Sequence, residues 1–237
     1  MISLTLPSIH EQSLRRALRN IDEMTRCFVE VIVVAPFRLD CELRCGEVIW
    51  VTEDAPLGCN GAHAAALRHA TQDLVAAWVD DHLLVSGWDD VVRTEYSSHV
   101  WRAPYCLGLR HAEEKHVGTV FGRYYPYFPV MNLDDARRMW FSGEYRRGFA
   151  DCDLAMRVWD AGGRCEPSEI GVVLRHADDE RKEDDLLESE VHSTSEDMAL
   201  FLSRWGEKYG AGYDLSRVRG FNRDIRYSEF VESSCAR

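Results

Sequence analysis

The run Phe28–Val34, FVEVIVV, places the strongest limit on how this chain can fold. Its apolar residues are nearly continuous and mostly β-branched, whereas a half-exposed strand would alternate apolar with polar. Such a run suits a strand covered on both faces, and strands of that kind belong to mostly parallel sheets with helices packed on either side. The flanking segments fit this scheme. Ile2–Leu6 reads as a first strand that stops at Pro7-Ser8, and Glu11–Arg26 carries Leu14, Ala17, Leu18 and Ile21 at helical spacing. Glu47–Thr52 is a third strand, and the alanine-rich Gly61–Thr71 a helix after the turn at Pro56 and Gly58. Leu74–Val79 is a fourth strand, Trp88–Tyr96 a helix, and Tyr105–Arg110 and Val117–Phe121 are further strands. Alternation at this spacing implies an α/β fold in one domain.

Ligands in such sheets bind outside the carboxyl ends of the strands. Pro7-Ser8, Thr52-Glu53 and Asp80-Asp81 all end strands on that edge and are expected to converge. Asp80-Asp81-His82 is the most telling of these. Adjacent carboxylates repel and perturb each other unless positive charge lies between them. A hard divalent cation, Mg²⁺ or Mn²⁺, that takes carboxylate and phosphate oxygens together would answer that need.

The second half differs in character. Tyr124–Pro129 reads as an aromatic, proline-broken loop, and Leu154–Ala161 as a helix closed by Gly162-Gly163. Cys165–Leu174 holds a last strand leading to His176. Asp178–Glu190 is an acidic surface connection, and Ser193–Tyr209 an amphipathic helix before an arginine-bearing tail. The net charge of −12, without a basic run, argues against nucleic acid as a partner. The eight cysteines are scattered, which suits a reducing, cytoplasmic compartment. No segment approaches the length of an apolar membrane span, which leaves peripheral membrane contact and the oligomeric state open.

Four local signals, in order, resemble the family 2 glycosyltransferases with the GT-A fold. Ile2–Ser8 is similar to the family's first strand with its Pro-Ser/Thr end, and Val31–Val34 to its second. Gly58-x-x-x-Ala62, then Leu67, Ala70, Asp73 and Asp80-Asp81, follow its G-x-x-x-A … A-x-G-[DE] … D-D progression. Ala150-Asp151-Cys152-Asp153-Leu154-x-x-Arg157 resembles its E-D-x-D-L-x-x-R element. The resemblance runs from Ile2 to about His176. It implies a GT-A domain over residues 1–178, with a donor-binding half to about residue 85 and an acceptor half beyond. Residues 179–237 would then form a linker, helix and tail packed on the domain or closing it.

The resemblance also implies an inverting, metal-dependent transfer of a sugar from a nucleotide-sugar to a hydroxyl of a saccharide or glycoconjugate acceptor. Asp151 would be the catalytic base. Pro7, Ser8, Ile9, Glu53, Asn60, His63 and Asp80 would contact the donor, and Asp81, His82 and His176 would hold Mn²⁺ or Mg²⁺. The division of labour between Asp80 and Asp81 is not set by sequence, and Asp153 reads as a helix N-terminal residue. Several positions depart from the family pattern. Ala35-Pro36 stands where a base-reading carboxylate is frequent, with Asp40 and Glu53 as substitutes. His63-Ala64 replaces Arg-Asn, Gln72 a glycine, His82 a third acidic residue and Ala150 a glutamate. These departures motivate an alternative reading, a catalytically silent nucleotide-sugar-binding module. A nucleotidyltransferase would want a glycine-rich basic loop after the first strand, and a Rossmann dehydrogenase a G-x-G-x-x-G. Neither is present.

Overall fold

Ile2–Pro7 (β1) pairs in parallel with Val29–Ala35 (β2), the two being joined by the helix Glu11–Met24 (α1). The computed structural model describes residues 1–53, 55, 57–98, 103–113, 116–175 and 187–235. β2 is buried along its whole length and divides its side chains between two cores. Val31 and Val33 pack with Leu14, Leu18 and Ile21 of α1 on one face. Ile32 and Val34 pack on the other against Ala62, Ala65 and Ala66 of the helix Gly58–Leu67 (α2). Each buried aliphatic side chain contributes about 1.5–3 kcal/mol, so the continuous apolar run is what holds helices on both faces.

Gly46–Thr52 (β3) extends the parallel sheet beyond β2, and Leu74–Ala77 (β4) lies on the other side of β1. The chain continues through His82–Leu84 (β5), Trp88–Ser97 (α3), Tyr105–His111 (β6), His116–Val120 (β7) and Arg123–Tyr124 (β8). It then forms Phe128–Asn132 (β9), Leu133–Met139 (α4), Ala150–Asp160 (α5) and Arg164–Arg175 (β10). The main sheet has the order β3-β2-β1-β4-β9-β6-β10-β5. Its pairings are parallel except where β9 meets β4 and β6 and where β5 meets β10. The expected α/β architecture with a mostly parallel central sheet is thus observed.

The C-terminal segment comprises Leu187–Tyr209 (α6), a 3₁₀ turn Val218–Gly220, Asn222–Arg226 (β11) and Tyr227–Cys235 (α7). β11 pairs antiparallel with β7, which also pairs with β8, giving a second, three-stranded sheet.

Several elements differ from the sequence reading. Tyr124–Pro129 is not simply a loop. Tyr124 ends β8, and Phe128 begins β9, which carries Pro129 within its ladder. Asn132 then starts α4 by accepting the Asp135 backbone N–H at 2.8 Å, an N-cap signal that the aromatic run obscured. α2 begins at Gly58 and ends at Leu67, earlier at both ends than its alanine pattern suggests. α5 begins at Ala150, so Asp151 and Asp153 lie in its first turn. Gly162, at φ +77°, closes that helix as expected. α6 starts at Leu187, inside the segment read as an acidic connection. His176 and residues 178–186 lie outside the described residues.

Candidate active site

Three strand ends form the floor of a cleft of about 780 Å³. β1 contributes Pro7, Ser8 and Ile9, the end of β3 contributes Glu53, and the turn after β4 contributes Asp80 and Asp81. The convergence is held by direct bonds. The Ser8 backbone N–H donates to the Val34 carbonyl at 3.0 Å, and its Oγ donates to Asp80 Oδ2 at 2.5 Å. Ser8 and Asp80 are each 5% exposed, so this bond ties two strand ends together out of water. Glu53 Oε1 accepts the Leu57 N–H at 2.5 Å and so shapes the turn into α2. Next to Asp80, Asp81 Oδ1 lies 2.7 Å from His82 Nδ1. The His82 ring packs edgewise on Phe128 and lies 5.0 Å from that of His111. Ile9 is 68% exposed on the rim.

No lysine or arginine lines this cleft among the described residues, while Glu53, Asp80 and Asp81 do. It is a negatively charged pocket at a sheet edge where anionic ligands commonly bind. Asp80, Asp81 and His82 offer hard oxygens and one imidazole, a donor set that suits Mn²⁺ or Mg²⁺. Among the described residues, the one set of three such ligand atoms that closes on itself is Cys27, Asp89 and Asp90. That set is neutralised by Arg93, which donates to Cys27 Sγ at 2.8 Å and to Asp90 Oδ1 at 2.5 Å. The ligand atoms of Asp80, Asp81 and His82 do not draw together in that way, so a cation at the strand ends would need oxygens of a bound ligand to complete its shell.

A second cavity of about 310 Å³ adjoins the cleft and shares Cys59, Val79 and Tyr127 with it. Asp151 lies on its wall. Burial raises the Asp151 carboxyl to about 6, against the lowering effect of the Cys152 N–H, which donates to Oδ1 at 2.8 Å. A carboxylate of this kind ionises near neutral pH yet remains basic enough to take a proton. Asn60 and His63, expected at the donor, line this second cavity instead. Asn60 Nδ2 donates to the Tyr145 carbonyl at 3.0 Å. His63 Nδ1 lies 2.8 Å from Thr5 Oγ1, and burial lowers its pKa to about 3. The imidazole is therefore neutral and cannot stand in for a phosphate-binding arginine.

The position of Asp151 depends on the C-terminal segment. Phe149, just before α5, has φ +62°, and Phe121 has φ +49°. Both are bulky residues in the left-handed region, a conformation that persists only when packing imposes it. Here Phe121 and Phe149 stack with Phe201 of α6 and Phe221 before β11, at centroid separations of 5.1–6.1 Å. Asp197 of α6, 3% exposed, accepts the N–H groups of Arg146, Arg147 and Gly148 at 2.9–3.1 Å. Asp153 is fully buried and accepts from Tyr145 Oη at 3.1 Å and from Trp205 Nε1 of α6 at 2.8 Å. Arg157 pairs with it at 2.7 Å. Asp153 thus joins α5 to α6, in keeping with a structural role.

Asn222 and Val218 also line the Asp151 cavity. No local motif marks them, since they reach it only through the pairing of β11 with β7. Tyr127, 47% exposed, borders both cavities.

A curled, mostly parallel sheet with a strand-end cleft and an adjoining carboxylate-bearing cavity defines the fold as that of the GT-A glycosyltransferases. The structure matches that of S. aureus TarS 1–349 with a TM-score of 0.61 at 12% identity, over 84% of this chain and 63% of that one. For TarS in complex with UDP-GlcNAc the TM-score is 0.56 at 13% identity, over 73% of this chain and 57% of that one. The mannosyltransferase PcManGT from Pyrobaculum calidifontis, in complex with GDP-Man and Mn²⁺, matches with a TM-score of 0.62 at 16% identity, over 85% and 64%. The chain spans less than two thirds of the length of these structures. No protein-family model matches it, and no curated protein matches it in sequence. At these identities the likeness establishes the fold. Among the described residues, no helix is long and apolar enough to cross a membrane.

Proposed function

We propose that the chain is an inverting, divalent-cation-dependent glycosyltransferase that moves a sugar from a nucleotide-sugar to a hydroxyl of a saccharide or glycoconjugate. One observation carries this reading. The Asp80-Asp81 strand end and Asp151 lie on adjoining cavities that share Cys59, Val79 and Tyr127.

The nucleoside diphosphate would lie along Pro7, Ser8, Ile9 and Glu53. Among the described residues its phosphates would meet no lysine or arginine on this wall, so their charge needs a cation held by Asp81 and His82, with Asp80 beside the ribose. When bound, Mn²⁺ or Mg²⁺ supplies neutralisation of the charge that develops on the leaving diphosphate. Ser8 keeps Asp80 in place. Asp151 accepts the proton of the acceptor hydroxyl as that oxygen attacks the anomeric carbon from the side opposite the leaving group, so the configuration inverts. Enclosure by Tyr125, Tyr127 and Phe149 limits water around the carboxylate and keeps its basicity raised. Free thiols at Cys27, Cys41, Cys45, Cys59, Cys106, Cys152 and Cys165 support a reducing, cytoplasmic setting.

The test is thermal unfolding with UDP, GDP or TDP, with and without Mn²⁺ or Mg²⁺. At least one nucleotide should raise the midpoint, and only when metal is present. If none of the three does so with metal, the donor assignment is wrong.

A further inference from the structure

A third cavity, of about 610 Å³, opens beyond the Asp151 cavity and shares Tyr125, Tyr127, Val218 and Asn222 with it. Its remaining wall is Arg219, Arg223 and Asp224. We infer that this cavity binds a phosphate or carboxylate group carried by the acceptor, next to the hydroxyl that Asp151 deprotonates. The inference rests on the proposed transferase reading and adds the chemical class of the acceptor to it.

The charge pattern of the tail is the first argument. Arg217 pairs with Asp214 Oδ2 at 2.7 Å, and Arg226 faces Glu229 Oε1 at 3.9 Å. Arg219 and Arg223 are the tail arginines that line the cavity, and neither has an ion-pair partner among the described residues. Asp224 shares the wall, but its Oδ1 accepts from the Tyr127 hydroxyl at 3.5 Å on the aromatic side. Both guanidinium groups are exposed at the cavity mouth, and with Asp224 on the same wall they leave one net positive charge there, in a chain of net charge −12. Their planar forks match phosphate and carboxylate oxygens.

Rigidity is the second argument. Arg223 lies in β11, opposite Thr119 of β7, and its carbonyl accepts the Thr119 hydroxyl at 3.0 Å. Arg219 lies in the 3₁₀ turn that leads into that strand. The Tyr125 hydroxyl donates to Asn222 Oδ1 at 3.1 Å and fixes the partition between the two cavities. Arg147 lines the middle cavity, so arginines line the route away from the donor cleft, which has no lysine or arginine among the described residues. Both the volume and the aromatic-plus-polar lining fall within the range of small-molecule sites.

The experiment measures binding to the full chain by ligand-observed NMR. Glycerol 3-phosphate and a hexose 1-phosphate form the phosphate arm, a hexuronate the carboxylate arm, and an uncharged methyl hexoside the control. One or both anionic arms should bind, more weakly as salt rises, and the methyl hexoside should bind at least about tenfold more weakly, as loss of a charge-assisted bond requires. The double variant Arg219→Gln/Arg223→Gln should lose that preference and leave the nucleoside diphosphate thermal shift unchanged. Equal binding of charged and uncharged sugars, or an unaltered preference in the double variant, overturns the inference. Binding to phosphatidylglycerol vesicles without binding to the soluble anions also overturns it, because the pair then contacts a membrane surface. Anion binding that depends on the arginines, in a chain that ignores every nucleoside diphosphate, would refute the transferase reading and leave the anion site standing.

Discussion

Replacing Asp151 by Asn separates what burial costs this residue from what its charge does. Burial raises the carboxyl from an ordinary 3.8 to about 6. At about 1.4 kcal/mol per tenfold change in proton affinity, holding the anion inside the folded protein costs at most about 3 kcal/mol. Well below pH 3.8 the carboxyl is protonated in both folded and unfolded chains, and wild type and variant should be equally stable. As pH rises from 3.8 to about 6 the unfolded chain gives up its proton while the folded chain keeps it, so wild-type stability falls through this window. Asn is uncharged, nearly the same shape, and can accept the Cys152 N–H through its side-chain carbonyl. Asp151→Asn should therefore be the more stable protein at about pH 8, by up to about 3 kcal/mol. For a chain of this size that is a rise of roughly 2–4 °C per kcal/mol in melting temperature. Transfer should fall by about 10²–10⁴-fold, as for loss of a general base, while nucleoside diphosphate binding persists. Urea unfolding of both proteins across pH, beside a transfer assay, reads both effects. A stability difference that is absent at pH 8, or the same at every pH, would refute the account of a buried, penalised carboxylate. Undiminished transfer would remove Asp151 from the role of base.

Two further substitutions test the scaffold. Asp197→Ala strips the acceptor from three backbone N–H groups before α5 and should cost at least about 3 kcal/mol in urea unfolding. It should also lower transfer at temperatures where the variant stays folded, since the Asp151 turn is released; unchanged transfer there would show that Asp197 does not position that turn. His63 has the opposite pH sign to Asp151. Its pKa is lowered to about 3, so the unfolded chain binds a proton below 6.5 that the folded chain refuses, and stability falls as pH falls through that window. His63→Gln should recover about 2 kcal/mol of this loss at about pH 5. A His63 ring that titrates by NMR above pH 5 in the wild type would contradict the assignment.

The central sheet and its carboxyl edge are legible in the amino-acid sequence because their signals are local. A two-face apolar run can only be satisfied between two layers, so Phe28–Val34 announces a parallel core. Pro7-Ser8 and Asp80-Asp81 announce strand ends because a residue without an N–H and paired carboxylates are both costly in a buried ladder. Asp153 is readable as a helix N-terminal residue because the dipole favours a carboxylate there, although the helix begins earlier, at Ala150. By contrast, β9 is hidden by Phe128 and Pro129 at its start, which resemble loop residues until neighbouring strands cover them. Asn60 and His63 follow the same turn as the donor residues, yet their helix directs them to the second cavity.

What sequence alone determined, then, is the layered α/β plan and the chemistry available at the strand ends. Only the tertiary structure decided what surrounds Asp151. Val218 and Asn222 line its cavity through the pairing of β11 with β7, and Asp197 and Phe201 hold the turn before α5 through the seating of α6, all from the far end of the chain. The raised Asp151 pKa belongs to that same level, because desolvation depends on what finally covers a group rather than on its sequence neighbours.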